Sequence, residues 1–254
     1  MTPWGPWGFI TSRPGTTFTS WPATWPRAAS YWPFPGRSNA MELPLFPLNT
    51  VLFPGAIIPI HVFEHRYRLM VGRCLEENGS FGVTLIKAGR EVGGPAIPYQ
   101  VGTTARIYKF QPLEDGRMNI LARGEKRFRI QDIRSYDPYL VAEVELLEEE
   151  EEDGAPELVE AVEALFQRYV YLIQAMSGQW SRPRPLPSNP SALADAVAHQ
   201  LAIEARRKQV LLETLLVKRR LEMERELLQE LVPALERQFR ARIRQRWGGF
   251  WALN

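Results

Sequence analysis

Residues Met41–Arg68 read MELPLFPLNTVLFPGAIIPIHVFEHRYR. Short apolar segments alternate with prolines, and proline within a sheet is confined to strand ends, edges and bulges. Two short strands, Leu43–Leu48 and Thr50–Phe53, are therefore expected, with a further extended run from Ile60 to Phe63. After this run, apolar residues recur at the spacing of a helix: Tyr67, Met70, Val71, Cys74 and Leu75. The stretch predicts strands that bend often and lead directly into an amphipathic helix.

The pattern of short strands continues to about residue 147. The dipeptide Asp115-Gly116 is a strong hairpin signal, and it joins Thr103–Gln111 to Arg117–Arg123. Three further segments have strand character: Phe81–Ile86, Phe128–Ile133 and Leu140–Leu147. Several short strands with one inserted helix are typical of a small closed barrel. An α+β fold is therefore expected.

The second half of the chain has helical periodicity. An acidic run, Glu148–Asp153, separates it from the strands and is expected to be a solvated linker. A first helix is predicted from Pro156 to about Met176. Asn189-Pro190 then predicts an N-cap and first helical residue, with a helix through about Ala205. A short helix at Lys208–Leu212 and a longer one capped by Thr214 complete the pattern.

Composition divides the chain into four parts. Residues 1–40 hold five of the eight tryptophans and no Asp or Glu, and they predict a disordered Trp/Pro-rich extension. The simplest explanation is that translation begins at Met41; the alternative is an arm that docks on the protein itself or on a partner. The other parts are a β-barrel subdomain (41–150), a helical subdomain (154–235) and a basic amphipathic tail (236–254). The tail arginines are either solvated on a packed helix or directed to an anionic surface.

Cysteine usage and hydropathy limit the class of protein. Cys74 is the single cysteine, so neither an internal disulfide nor a CxxC site can form. No stretch offers the roughly 20 apolar residues that span a bilayer, and no signal-peptide core is present. We therefore expect a cytoplasmic protein without a transmembrane segment. The formal charge of +2 favours neither nucleic acid nor any other partner.

Five blocks beyond the opening stretch resemble, in the same order, the Lon substrate-binding (Lon N-terminal) domain family. They are Ser80–Ile86, Val101–Ile107, Asp115–Arg117, Arg123–Ile130 and Pro138–Val144. The resemblance runs from residue 42 to about 235. It implies a PUA-like β pseudobarrel with one inserted helix, followed by a C-terminal helical bundle. It also implies a stand-alone substrate-binding domain protein that binds polypeptide and uses no cofactor.

The modules that give full Lon proteases their activity have no counterpart in the sequence. A phosphate-binding loop of the type GxxxxGK[ST] needs a glycine directly before its lysine, and none of the lysines has one. No serine lies in a Gly-rich turn typical of the peptidase. We therefore expect a protein that is not an enzyme and does not bind ATP.

One enzymatic signal has to be weighed. His61-Val-Phe-Glu64-His65 matches an inverted zinc-peptidase signature, in which both histidines project from one helical turn. Pro59 favours a strand at His61, whereas the helical stripe begins only at Tyr67. The two rings would then diverge, so no metal site is expected. Glu64 is instead expected to serve the helix start and to pair with Arg66 or Arg68.

The leading hypothesis is a non-enzymatic module that binds unfolded or apolar polypeptide segments, with the groove between barrel and bundle as the expected place. Candidate contacts are Tyr108, Phe110 and Met118 near the hairpin, and Glu64, His65 and Arg66 at the start of the first helix. The competing interpretation is structural, because aromatic side chains in small barrels usually belong to the core.

Two other functions stay open at this point. Barrels of this kind also bind RNA, and here the cluster Arg123, Lys126, Arg127 and Arg129 would serve, together with the basic tail. Nucleic-acid binding would weaken steeply with salt, whereas apolar peptide binding would persist. The third hypothesis is a proteolysis adaptor that docks on a separate protease.

Overall fold

The structure, a computed structural model, describes residues 40–94, 96–150, 156–178 and 185–247. Apart from Ala40, the predicted disordered extension lies outside the described residues. The strands are β1 (Ala40–Leu48), β2 (Ile57–Val62), β3 (Phe81–Gly89), β4 (Ala96–Pro98), β5 (Val101–Pro112), β6 (Met118–Ser135) and β7 (Val141–Leu146). The helices are α1 (His65–Glu76), α2 (Pro156–Ser177), α3 (Pro190–Gln200), α4 (Ala205–Glu213) and α5 (Val217–Trp247). A mixed sheet followed by helices confirms the predicted α+β order.

Five strands form a closed ring in the order β1, β7, β6, β5, β3. The ring closes because β1 pairs with β3 in parallel, with Leu45 opposite Gly82, while its other pairs are antiparallel. β2 pairs with the first part of β6, and β4 pairs with the end of β3. Close packing of the ring requires glycine at Gly102, where a Cβ atom would lie 2.6 Å from the carbonyl oxygen of Val83.

Helix α1 places its predicted stripe in the barrel core. Tyr67, Met70, Val71 and Cys74 are buried, and the Tyr67 ring stacks on Phe46 of β1 with ring centroids 4.0 Å apart. Burial raises the pKa of the Cys74 thiol to about 12, so this cysteine is a packing residue and not a reactive one. The periodicity of the sequence is thus explained by one buried helix face.

The proline-rich opening differs from the prediction. β1 is one continuous strand across Pro44 and Pro47, and Thr50–Phe53 is not a strand. Val51–Phe53 are nevertheless buried, and the hydroxyl of Thr103 donates to the carbonyl oxygen of Leu52 at 2.6 Å. An irregular segment can be buried in this way because side chains of neighbouring strands satisfy its backbone groups.

The second half of the sheet also departs from the prediction. The segments predicted as Arg117–Arg123 and Phe128–Ile133 form one 18-residue strand, β6. β4, with three residues, was not predicted at all.

The helical half follows the sequence signals with three differences. Thr214 ends α4 as its C-cap and does not cap the longer helix, which begins at Val217. Asn189 caps α3 by accepting from the Ala192 amide at 2.9 Å, as predicted, but the helix ends at Gln200 rather than Ala205. It ends early because the backbone turns extended at Leu201, whose side chain is buried in the helical core. α5 runs through Pro233, so the predicted tail at 236–254 begins inside a helix. No helix within the described ranges combines the length and apolar character that a bilayer crossing needs.

Barrel and helices share one core. Val51, Phe53, Leu85 and Val101 of the barrel pack in the same cluster as the apolar faces of α2 to α5. At this boundary, where the sequence led us to expect a groove, apolar side chains of both halves pack against each other.

Candidate functional site

Two adjoining hollows lie on one side of the barrel and share Ala96 and Tyr136. The first, of about 280 Å³, lies between β4 and the last part of β6; it is lined by Ala96, Ile97, Pro98, Gln100, Ile130, Gln131, Asp132, Ile133 and Tyr136. The second, of about 210 Å³, is lined by Pro47, Arg66, Tyr67, Ala96, Tyr136 and Leu140. Together these residues define the β4–β6 groove.

The groove exposes large apolar side chains. Ile97 is 60% exposed and Tyr136 is 71% exposed, and they stand beside Ile130 and Ile133, which are half-buried. Scattered exposed apolar residues are ordinary, whereas neighbouring ones mark a surface that gains free energy by being covered. The groove is therefore the candidate functional site of this structure.

Its two charged lining residues already have partners. Arg66 pairs with Glu64 at 3.1 Å, and Asp132 pairs with Arg134 at 3.1 Å. Neither pair leaves an excess charge on the groove. A ligand that fits this lining is uncharged along most of its length.

Residues at the start of α1 position β4. The carboxylate of Glu64 accepts from the Gly93 amide at 3.3 Å, and the Arg66 guanidinium donates to the Gly94 carbonyl oxygen at 3.4 Å. Further along the same loop, the Asn49 side-chain amide donates to Glu91 at 2.6 Å. These contacts hold the loop that leads into β4, so Glu64 stabilises the groove indirectly, through this loop.

Two strand edges border the groove. Within the described residues β4 pairs with β3 alone, and β6 pairs with β5 only as far as Arg129, opposite Val101. The last link between the two sides is the bond from the Ile130 amide to the Gln100 carbonyl oxygen, at 2.7 Å. Beyond it, β6 continues to Ser135 with β7 as its partner on the opposite side.

The residues predicted as contacts are spread over the barrel. Arg66 is the one of the six that lines the groove. Tyr108 on β5 is 57% exposed but lies away from the groove lining, and Phe110 is half-buried against the core. Met118 is 5% exposed and belongs to the core. His65 is exposed as the first residue of α1.

Sequence reasoning missed Ile97, Ile133 and Tyr136, which dominate the groove. Ile97 lies in a three-residue strand, which is too short to show any periodicity. Ile133 was predicted as part of a strand, but its unpaired edge depends on where β5 ends. Tyr136 precedes the Asp137-Pro138 turn, and that turn was the one local signal available.

The zinc-peptidase motif is divided between two elements. His61 lies in β2, where its Nδ1 is 2.7 Å from the side-chain oxygen of Asn119, while His65 begins α1. In the parts of the chain that the structure describes, no group of three or more His, Cys, Asp or Glu side chains could hold a metal ion. The placement of the histidines is the one that the sequence predicted.

The basic cluster on β6 is not a continuous surface. Arg123, Lys126 and Arg129 are exposed, but Arg127 is only 2% exposed and bonds to the helical half. Its guanidinium contacts both carboxylate oxygens of Asp195 and one of Glu149. One member of the predicted nucleic-acid site is therefore committed to the interior.

That interior arginine belongs to a buried polar cluster, here called the joint: Arg127, Glu149, Asp195, Arg220 and Glu224. Arg220 pairs with Glu149 at 2.9 Å. Burial pushes the pKa of Glu149 upward, but Arg220, Ser191 and Arg127 outweigh it and leave that pKa lowered. Burial raises the pKa of Glu224 well above its ordinary value, and neither of its oxygens has a hydrogen-bond partner among the described residues. The joint ties barrel to bundle and lies apart from the groove lining.

The profile of the ATP-dependent protease La (LON) substrate-binding domain matches residues 42–230. The chain belongs to this family. The resemblance seen in the sequence blocks is confirmed over residues 42–230, where 42 to about 235 was predicted.

Relatives of this Lon-type domain include full proteases and separate domains. Lon protease of Desulfosudis oleivorans is 29% identical over 184 residues, which are 70% of this chain and 22% of that protein. A Lon N-terminal domain protein from Xanthomonas campestris is 31% identical, with a TM-score of 0.57, covering 72% of this chain and 96% of that one. The N-terminal domain of Mycobacterium avium complex Lon protease shares the fold, with a TM-score of 0.54 at 20% identity, covering 74% and 98%.

The lengths of these relatives matter for function. The chain spans about a quarter of the length of the curated relatives that it matches first. The family match covers the substrate-binding domain of such proteases.

Proposed function

We propose that this chain is a non-enzymatic polypeptide-binding module that takes up unfolded or apolar segments in the β4–β6 groove. Membership of the Lon substrate-binding family supports polypeptide as the ligand class. The proposal includes the interpretation of the closed ring as a PUA-like pseudobarrel. That the protein works together with a separate protease, and that it is cytoplasmic, are predictions from the sequence.

The observation that carries the proposal is the neighbouring exposure of Ile97 and Tyr136 over a lining without excess charge. The two hollows, of about 280 Å³ and 210 Å³, adjoin each other along the surface, and each has room for side chains of a longer ligand. This arrangement is compatible with a polypeptide that lies across both.

The test is binding of a permanently unfolded protein, reduced and carboxymethylated lactalbumin, measured by fluorescence anisotropy at low and high salt. We expect the double variant Ile97→Ser, Tyr136→Ser to weaken binding by about tenfold, since it removes two apolar contacts that the ligand would bury in the complex. The matched control is Tyr108→Ser, which removes another exposed tyrosine, outside the groove, and should leave the affinity unchanged. A loss with Tyr108→Ser alone would place the site at the hairpin.

The salt series also distinguishes nucleic-acid binding from polypeptide binding. Exposed Arg123, Lys126 and Arg129 would bind a labelled single-stranded RNA in a strongly salt-dependent way. Burial of Arg127 argues against that function, because it removes one charge from the predicted surface. RNA binding that competes with the unfolded protein for Ile97 and Tyr136 would contradict the polypeptide proposal.

A further inference from the structure

The exposed edge of β6 next to the groove carries an unusual backbone contact. The amide of Ile133 donates to the carboxylate of the preceding residue, Asp132, at 2.9 Å. Asp132 lines the groove, so its side chain accepts from a backbone amide on the side where no strand of the described residues pairs with β6. In a sheet, the acceptor at such a position is the carbonyl oxygen of a neighbouring strand.

The same segment shows the features by which proteins protect a free edge. The pairing of β6 with β7 shifts register between Ile130 and Asp132 and again between Ile133 and Ser135. Bulges and charged side chains on an edge discourage uncontrolled pairing with other chains. Asp132 and Arg134 supply the charges, as a pair that is largely exposed. The edge can therefore pair with a short added strand, whereas its bulges and charges disfavour pairing with a long, flat strand.

Side chains beside this edge offer places for the residues of an added strand. In a strand, successive side chains point to opposite faces, so alternate residues of a ligand would face the same way. Ile130 and Ile133 of β6 line the hollow beside the edge, and Ile97 of β4 lies on the opposite side of it. Because both charged lining residues are already paired, the residues that enter the hollow are apolar and uncharged.

We propose that the edge of β6 from Gln131 to Ser135 binds its polypeptide as an added β-strand, with alternate apolar side chains in the β4–β6 groove. In the complex the Ile133 amide donates to a carbonyl oxygen of the incoming chain and no longer to the Asp132 carboxylate. This inference rests on the proposed function and names its mode of recognition. Main-chain hydrogen bonds supply affinity without reading sequence, and the groove selects for apolar residues at every second position.

The test uses a short labelled peptide that alternates threonine and valine, and two analogues in which esters replace the amides along one edge or the other. An ester keeps the side chains and the chain length but removes the N–H donor. We expect at least one analogue to bind about fivefold more weakly per ester, the factor expected from one lost hydrogen bond. Equal binding by all three peptides overturns strand addition while leaving polypeptide binding intact.

A pair of variants tests the exchange at Ile133. Asp132→Ala removes the competing acceptor and should tighten binding of the all-amide peptide by about fivefold. Asp132→Asn is the matched control, because it removes the charge but keeps an acceptor oxygen, and its affinity should stay close to that of the parent. Unchanged binding in Asp132→Ala overturns the exchange.

Failures of the two proposals are distinguishable. If unfolded lactalbumin binds through Ile97 and Tyr136 but the alternating peptide does not bind, strand addition is wrong and the proposed function stands. If neither ligand binds, the proposed function falls and this inference with it.

Discussion

The joint and the groove are opposite exceptions to the usual distribution of residues. At the joint, arginines and carboxylates are buried between barrel and bundle; at the groove, isoleucines and a tyrosine are exposed to solvent. The buried charges of Arg127 and Arg220 have partners within the chain, whereas none of the described residues covers the exposed apolar side chains of the groove. A pairing satisfied internally indicates a structural role, and a surface left uncovered indicates a ligand. The experiments below separate the two roles.

The largest effect is expected from Arg127→Ala at the joint. It leaves the carboxylate of Asp195 buried without its two-pronged partner, and breaking such a pair costs about 3–5 kcal/mol. Urea unfolding measures the loss. The matched control is Arg129→Ala on the same strand, an exposed arginine that should change the free energy of unfolding by less than about 0.5 kcal/mol. Similar losses for both variants would contradict a structural joint.

A second effect concerns pH and Glu224. Burial raises the pKa of this carboxyl group, with Asp195 acting in the same direction and Arg220 and Arg127 opposing. The folded chain therefore keeps a proton that the unfolded chain loses near the ordinary value of 4.5, so this group's contribution to stability falls as pH rises above that value.

The glutamine of the Glu224→Gln variant cannot ionise. The stability of this variant should therefore lack the decrease with rising pH that Glu224 causes in the parent. Relative to the parent, the variant should gain stability as pH rises above the ordinary value of 4.5, by at most about 1.4 kcal/mol per pH unit. Urea unfolding at several pH values gives both curves. Parallel curves would mean that Glu224 is ionised in the folded protein.

A smaller effect tests the local helix signal at the bundle. Asn189→Ala removes the acceptor for the Ala192 amide at the start of α3 and should cost about 1 kcal/mol. Asn189→Asp retains an acceptor and serves as the control. An unchanged free energy of unfolding in Asn189→Ala would show that the cap stabilises the helix no more than water does in its place.

The smallest change in stability is expected at the groove. The Ile97→Ser, Tyr136→Ser variant should unfold within about 0.5 kcal/mol of the parent, because both side chains are exposed in the free protein. The same variant should weaken polypeptide binding, as described above. A large loss of stability would instead assign these residues to the fold.

Local signals predicted those parts of the molecule in which neighbours in sequence decide the structure. The stripe of Tyr67, Met70 and Val71, the Asp115-Gly116 hairpin and the Asn189-Pro190 helix start all depend on contacts within a few residues. Each of these predictions is confirmed by the structure.

Non-local features could not be predicted from spacing. The joint combines Arg127, Glu149, Asp195 and Arg220, which no motif links. Burial of Val51–Phe53 without a strand depends on a hydrogen bond from Thr103, 51 residues away in sequence from its acceptor, Leu52. The groove is formed by strand edges, and an edge is defined by what fails to pair. For that reason Arg66 was the single predicted contact that proved to line it.

The parallel contact that closes the ring also affects how the protein is made. β1 is the first strand of the ring, yet one of its neighbours is β3 and the other is β7, whose residues follow about a hundred positions later. During synthesis the apolar strand Ala40–Leu48 must therefore wait, unpaired on one side, until residues 141–146 have left the ribosome. A nascent chain of this protein thus displays, for a time, an apolar extended segment of the kind that its finished groove is proposed to bind.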